Sequence, residues 1–288
     1  MLKFSPEQKI HYTLRVASAM CFIGHGTFGI ITKEVWSNYF AVFGIGHDLS
    51  YRLMPYLGAV DILMGIVILV YPLRAIIAWL VIWGAVTALF RPLSGEPFAE
   101  FIERAGNFGA PLALLLLSGS VGRNIKRLFT AINANINLDA KALAGVITCL
   151  RIVVFFLFLG HGWLNIIQKK SLLNQYTSLG FVNPGKTAQV IGVFEIIAGL
   201  TVLIRSLGSV VLALFIWKIT SEFFYPQYEL FEWIERGGSY GAILALWFAI
   251  EATPAFRKIT EFKTVNLPLN HNPARVNYSS SNYNISGT

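Results

Sequence analysis

Four ionisable residues stand inside long apolar stretches of this chain: His25, Asp61, His161 and Glu195. A charge held at membrane depth is costly, and such residues typically serve proton relays, substrate paths or ligand counter-ions. Their spacing lets them meet. A helix that begins near Tyr12 on one face carries His25 about 20 Å along its axis, hence about 10 Å from the opposite surface of a core about 30 Å thick. A return helix that begins at Pro55 on that opposite face brings Asp61 about 9 Å down. The imidazole and the carboxylate reach the same level, as do His161 and Glu195, and the change from Asp to Glu keeps the charge. Gly58 and Gly65 flank Asp61 on one helical face, as Gly192 and Gly199 flank Glu195, so a neighbouring helix or a flat ligand can approach each carboxylate. Two readings stand side by side, helix packing around a structural ion pair and a ligand site.

A second set is Glu103-Arg104 with Glu235-Arg236, each ahead of an apolar run. A helix N-terminus favours the carboxylates while the arginines snorkel to the interface. Alternatively, the arginines face inward and bind an anionic head group or polarise a carbonyl. Gly106, Gly109, Gly238 and Gly241 mark close helix packing, because no strand precedes them as a phosphate loop requires. Trp83, Thr87 and Phe90 share one helical face, and Trp217, Ser221 and Phe224 repeat it; such a stripe reads as core. Lys218 and Glu222 form an i, i+4 pair in the second half only, where the first half has Gly84 and Ala88. Glu96, Glu100 and Glu103, with Glu229, Glu232 and Glu235, read as a solvated acidic rim.

Composition fixes the elements that must hold these groups. Of 288 residues, 55% are hydrophobic and 13% charged, against about 25% charged in soluble domains, and mean hydropathy is +0.59. A soluble globular domain is excluded. Apolar runs at about 13–32, 55–72, 73–90, 104–121, 143–167, 187–204, 206–224 and 237–252 give eight transmembrane helices. Lys3 and Lys9 precede the first, but its apolar core continues past Ala19, unlike a signal peptide. Cys21 and Cys149 have no metal-ligand or disulfide spacing, so no metal site is expected. The net charge of +8 lies at helix ends and not in one basic stripe, which argues against nucleic acid.

The sequence also repeats itself. Gly24-His25-Gly26 returns 136 residues later as Gly160-His161-Gly162, with Arg15 onto Arg151 and Lys33 onto Lys169. Gly58, Asp61, Gly65, Trp83 and Pro92 return at an offset of 134, and the Glu103-Arg104 element at 132. The reading is an all-α polytopic membrane protein of two parallel four-helix repeats related by a pseudo-twofold axis along the bilayer normal. Residues 1–142 form the first unit with its inner linker, 143–265 the second, and 266–288 a disordered polar tail. Lys and Arg number twelve on one side against eight on the other, which places both termini in the cytoplasm and the protein in the cell inner membrane. Asn277 and Asn284 match the glycosylation pattern but fall on the inner side and are discounted.

Arg151, His161-Gly162-Trp163, Lys169-Lys170, Gly180, Pro184, Glu195 and Gly199 resemble the DoxX-like family of four-helix membrane proteins. The first unit matches less closely, through Arg15, His25-Gly26, Lys33, Gly44, Asp61 and Gly65, so the chain looks like a fused pair. The resemblance links the chain by family name to thiosulfate:quinone oxidation. A membrane subunit follows, without catalysis of its own, that binds a quinone, a lipid or an anionic ligand in outer-leaflet pockets and serves a redox or envelope partner protein. The candidate binding residues are His25, Asp61, Glu103, Arg104, His161, Glu195, Glu235 and Arg236. A proton-coupled small-solute transporter and a scaffold without ligand are the alternatives. A haem between His25 and His161 would need their rings face to face, and the paired-carboxylate reading is preferred to it.

Overall fold

The computed structural model describes residues 4–119, 125–135, 138–224 and 230–265, with residues 125 and 254–265 as backbone. Arg123, Pro226, Glu229, the two glycosylation triplets and the polar tail lie outside the described residues. Among the described residues the structure is all-helical and holds no strand.

The first long helix, α1 (Pro6–Ile30), starts ahead of its apolar run because Ser5 and Gln8 form a capping box and Pro6 fixes its first turn. A short α2 (Trp36–Ala41) leads to α3 (His47–Val70). This helix begins eight residues before the expected Pro55. Polar residues from His47 to Arg52 end the apolar run without ending the helix, and Pro55 is carried inside it. Next come α4 (Arg74–Leu93), α5 (Ala99–Glu103) and α6 (Ala105–Leu117). The second half runs through α7 (Ala140–Ile166), α8 (Lys170–Ser178), α9 (Pro184–Ile204), α10 (Gly208–Phe223), α11 (Leu230–Glu235) and α12 (Gly237–Val265). Arg104 separates α5 from α6 and Arg236 separates α11 from α12, so the Glu-Arg elements mark breaks between two helices.

Among the described residues four helices, α3, α4, α7 and α9, are long and apolar enough to cross a membrane. Only 22% of the apolar window of α4 and 39% of that of α7 is buried within the protein. The remaining apolar faces are the kind that lipid covers, and these helices mark a multi-pass membrane protein.

Packing interleaves the two halves. α1 lies on α3 of its own half but also on α11 and α12, while α7 lies on α9, α5 and α6. α3 and α4 barely touch although they are consecutive; α4 packs instead on α6. One apolar core results, with Leu14 and Phe22 of α1, Leu114 of α6, Leu150 and Phe158 of α7 and Leu246 of α12. Two backbone approaches make this possible. A Cβ on Gly24 would lie 2.3 Å from the Glu235 backbone nitrogen, and one on Gly160 the same distance from that of Glu103. At the centre, Gly106 and Gly238 meet, a Cβ on Gly238 lying 2.6 Å from the Gly106 carbonyl oxygen. Such small-residue contacts bring helices close enough for dense van der Waals packing.

Candidate functional site

Where α1 meets α3, His25 Nδ1 stands 2.7 Å from Asp61 Oδ2. The other carboxylate oxygen accepts from the indole nitrogen of Trp83 on α4 at 2.9 Å. Asp61 is buried, and the His25 ring lies against Trp36 of α2 with centroids 4.6 Å apart. The glycines beside Asp61 admit α1: a Cβ on Gly58 would meet the Gly26 carbonyl oxygen at 2.3 Å, and one on Gly65 would meet Ile23. The approach is that of a helix and not of a ligand.

The second half builds the same triad and adds to it. His161 Nδ1 lies 2.6 Å from Glu195 Oε2, and Trp217 donates to Oε1 at 3.1 Å. Asn165, which stands where the first half has Gly29, also donates to Glu195 Oε2 at 3.3 Å and accepts from the Tyr176 hydroxyl at 2.6 Å. Each imidazole therefore bonds to the carboxylate of its own half.

Glu103, Arg104, Glu235 and Arg236 converge from both halves around the Gly106–Gly238 crossing. Arg236 Nη1 donates to Glu103 Oε1 at 3.0 Å and to Glu222 Oε1 at 3.1 Å, and Lys218 pairs with Glu222 at 2.8 Å. All three partners of this chain of charges are buried. Arg104 Nη1 donates to its neighbour Glu103 at 3.3 Å. The arginines thus face inward beside carboxylates. The acidic residues also depart from the solvated rim expected of them. Glu100 is fully buried, bonded by Arg91 at 3.3 Å and paired with Lys169, while Lys33 reaches Glu232 at 2.7 Å. The two lysines occupy equivalent positions, and each bridges to the opposite half.

Beside the first triad lies a cavity of about 370 Å³. Phe28, Trp36, Tyr39, Phe40, Phe43 and Phe90 give it an aromatic wall, and His25, Trp83, Arg104 and Glu235 reach it from the polar side. Two residues of the lining also hold the loop that follows α4: the Tyr39 hydroxyl donates to Glu96 at 2.7 Å, and Arg91 bonds Glu96 at 3.0 Å. Burial opposes the Glu96 charge, but Arg91 and the Tyr39 bond outweigh it and hold this carboxyl below the ordinary range. Burial in turn pushes the Tyr39 hydroxyl above its ordinary range.

Of the expected residues, the structure joins His25 to Asp61, His161 to Glu195, and Glu103 to both arginines. Glu235 lines the cavity without an ion pair within 4.0 Å among the described residues. Trp83 and Trp217 read as plain core in the sequence, yet both hold a carboxylate oxygen. Their signal was present, since they recur at the same offset of 134 as the acids they bond. The aromatic wall of α2 carried little such signal, because Trp36 and Tyr39 correspond to Leu172 and Gln175 of α8 and only Phe40 has an aromatic counterpart, Tyr176. Comparison with protein-family models, with characterised proteins and with solved structures gives no match.

Proposed function

We propose that the chain is a DoxX-like protein of the cell inner membrane, crossing the bilayer eight times as two parallel four-helix units with both termini cytoplasmic. Its first unit binds a small lipophilic ligand, a quinone or a lipid, and serves a redox or envelope partner. One observation carries this reading: an aromatic-walled cavity of about 370 Å³ opens on a buried His–carboxylate pair. Ligand pockets combine this sort of volume with an apolar lining and a few placed polar groups.

The chemistry follows from the residues. Asp61 engages Nδ1 of His25 and so fixes the ring, leaving Nε2 for a ligand oxygen. Trp83 orients Asp61 in turn, and Trp36 offers a flat face for a ring. The eight-span topology draws support from the paired breaks at Arg104 and Arg236, which recur at one offset, and from the excess of Lys and Arg on one side.

Menadione titrated into the full-length protein in nanodiscs, followed by tryptophan fluorescence, tests the binding. Saturable quenching that weakens in Trp36→Ala is expected; no saturable response, together with copurified quinone and lipid at bulk bilayer composition, overturns the reading. For the topology, Leu49→Cys and Leu128→Cys are expected to label from opposite sides of the membrane. Labelling from one side refutes it.

A further inference from the structure

The second half holds a charged pair where the first half holds the cavity, and the comparison identifies what the cavity is built to receive. At an offset of 134, Lys218 and Glu222 of α10 stand at the positions of Gly84 and Ala88 of α4. Lys218 and Glu222 are both buried and joined at 2.8 Å. The Glu222 carboxylate accepts from Arg236 at 3.1 Å. Arg236 corresponds to Arg104, and in the first half both Arg104 and Ala88 line the cavity. The Arg104 guanidinium there has one hydrogen bond among the described residues, to the adjacent Glu103. The space beside the Arg104 guanidinium is thus the counterpart of the place that Glu222 fills beside Arg236. Of the five cationic side chains that line the cavity, Lys33, Arg91, Lys169 and Arg236 are each held by carboxylates of the opposite half or of the neighbouring loop, which leaves Arg104, paired with Glu103 alone among the described residues, as the cation facing the open space.

Resting on the reading of this cavity as a ligand site, we infer that its ligand carries an anionic oxygen group, a carboxylate or phosphate, on an aromatic or compact apolar body. Arg104 receives the anion, and the aromatic wall receives the body. Guanidinium geometry suits such an oxyanion. In the second half the Glu222 carboxylate acts as a tethered stand-in for that group, so the chain binds one ligand and not two.

The test uses 2-naphthoate as the anionic probe, with 2-naphthamide as its neutral analogue, titrated calorimetrically into the full-length protein in nanodiscs. One equivalent of naphthoate is expected, with naphthamide binding weaker by roughly tenfold or more, the usual worth of a hydrogen bond to a charged group. Ala88→Glu supplies the first half with its own carboxylate. It is expected to abolish naphthoate binding while raising the melting temperature of the ligand-free protein above that of Ala88→Gln, which fills the same space without charge. Equal affinity for the two probes, two equivalents on the unaltered chain, or no thermal difference between Ala88→Glu and Ala88→Gln overturns the inference. Menadione binding without naphthoate binding overturns it while leaving the cavity a ligand site, whereas no binding of any of the three compounds removes both.

Discussion

Both oxygens of Asp61 are occupied, one by His25 at 2.7 Å and the other by the Trp83 indole at 2.9 Å. The carboxylate therefore binds three helices together, since its partners come from α1 and α4. Removing either member of the pair has unequal consequences.

Asp61→Asn leaves a neutral imidazole and keeps an acceptor for Trp83, so its effect on stability is small. His25→Ala leaves a buried carboxylate with one neutral donor and costs about 3 kcal/mol. His161→Ala is milder than His25→Ala, because Asn165 still donates to Glu195, and it still exceeds Glu195→Gln. Thermal unfolding in detergent across the four variants gives this order; equal losses for acid and histidine variants would rule out coupling.

The arginines are unequal as well. Arg236→Ala strips a guanidinium from both Glu103 and Glu222, which are buried, and is expected to destabilise by about 3–5 kcal/mol. Arg104→Ala costs less, since Glu103 keeps Arg236. Parallel denaturation of the two variants measures the difference, and a larger loss at Arg104 contradicts the bonding described.

Gly24→Ala and Gly160→Ala each drive a methyl group against backbone of the opposite half, 2.3 Å from a nitrogen. Overpacking of this kind costs about 1–3 kcal/mol or more. Gly145→Ala, at an exposed position of α7 with nothing within 4 Å of the added carbon, serves as the unclashed control. Melting temperatures of the three variants separate these cases.

Acid is expected to release the loop that follows α4. The Glu96 carboxyl has its folded value depressed, so its contribution is present above the unfolded value of about 4.3 and is lost as pH falls through the lower folded value. Hydrogen exchange at residues 94–98 is expected to accelerate only below that range. Glu96→Gln removes the pH dependence; unchanged acceleration in this variant would exclude Glu96 as its source.

The apolar runs located the long helices because a segment that faces lipid must be apolar along its length. Helix ends were harder to read: α3 extends through His47–Arg52, where polarity marks the limit of the apolar slab and not of the hydrogen-bond ladder. The His–carboxylate pairing was legible from depth alone, as rise per residue converts sequence position into level. Interleaving was not, for an offset cannot say whether Gly24 meets Glu103 or its counterpart Glu235. Lys218 and Glu222 were visible as an i, i+4 pair, yet what Glu222 takes the place of emerges only once its counterpart Ala88 is seen to line the cavity.

The contact between Gly24 and the Glu235 backbone also sets a timetable for biogenesis. These residues are 211 positions apart in the sequence, so at about 5–20 residues per second the ribosome needs roughly 10–40 s to deliver the partner after α1 has been made. Throughout that interval the glycine face of α1 awaits a segment not yet synthesised. A chain interrupted anywhere before α11 leaves that face open to the insertion machinery and to membrane quality control.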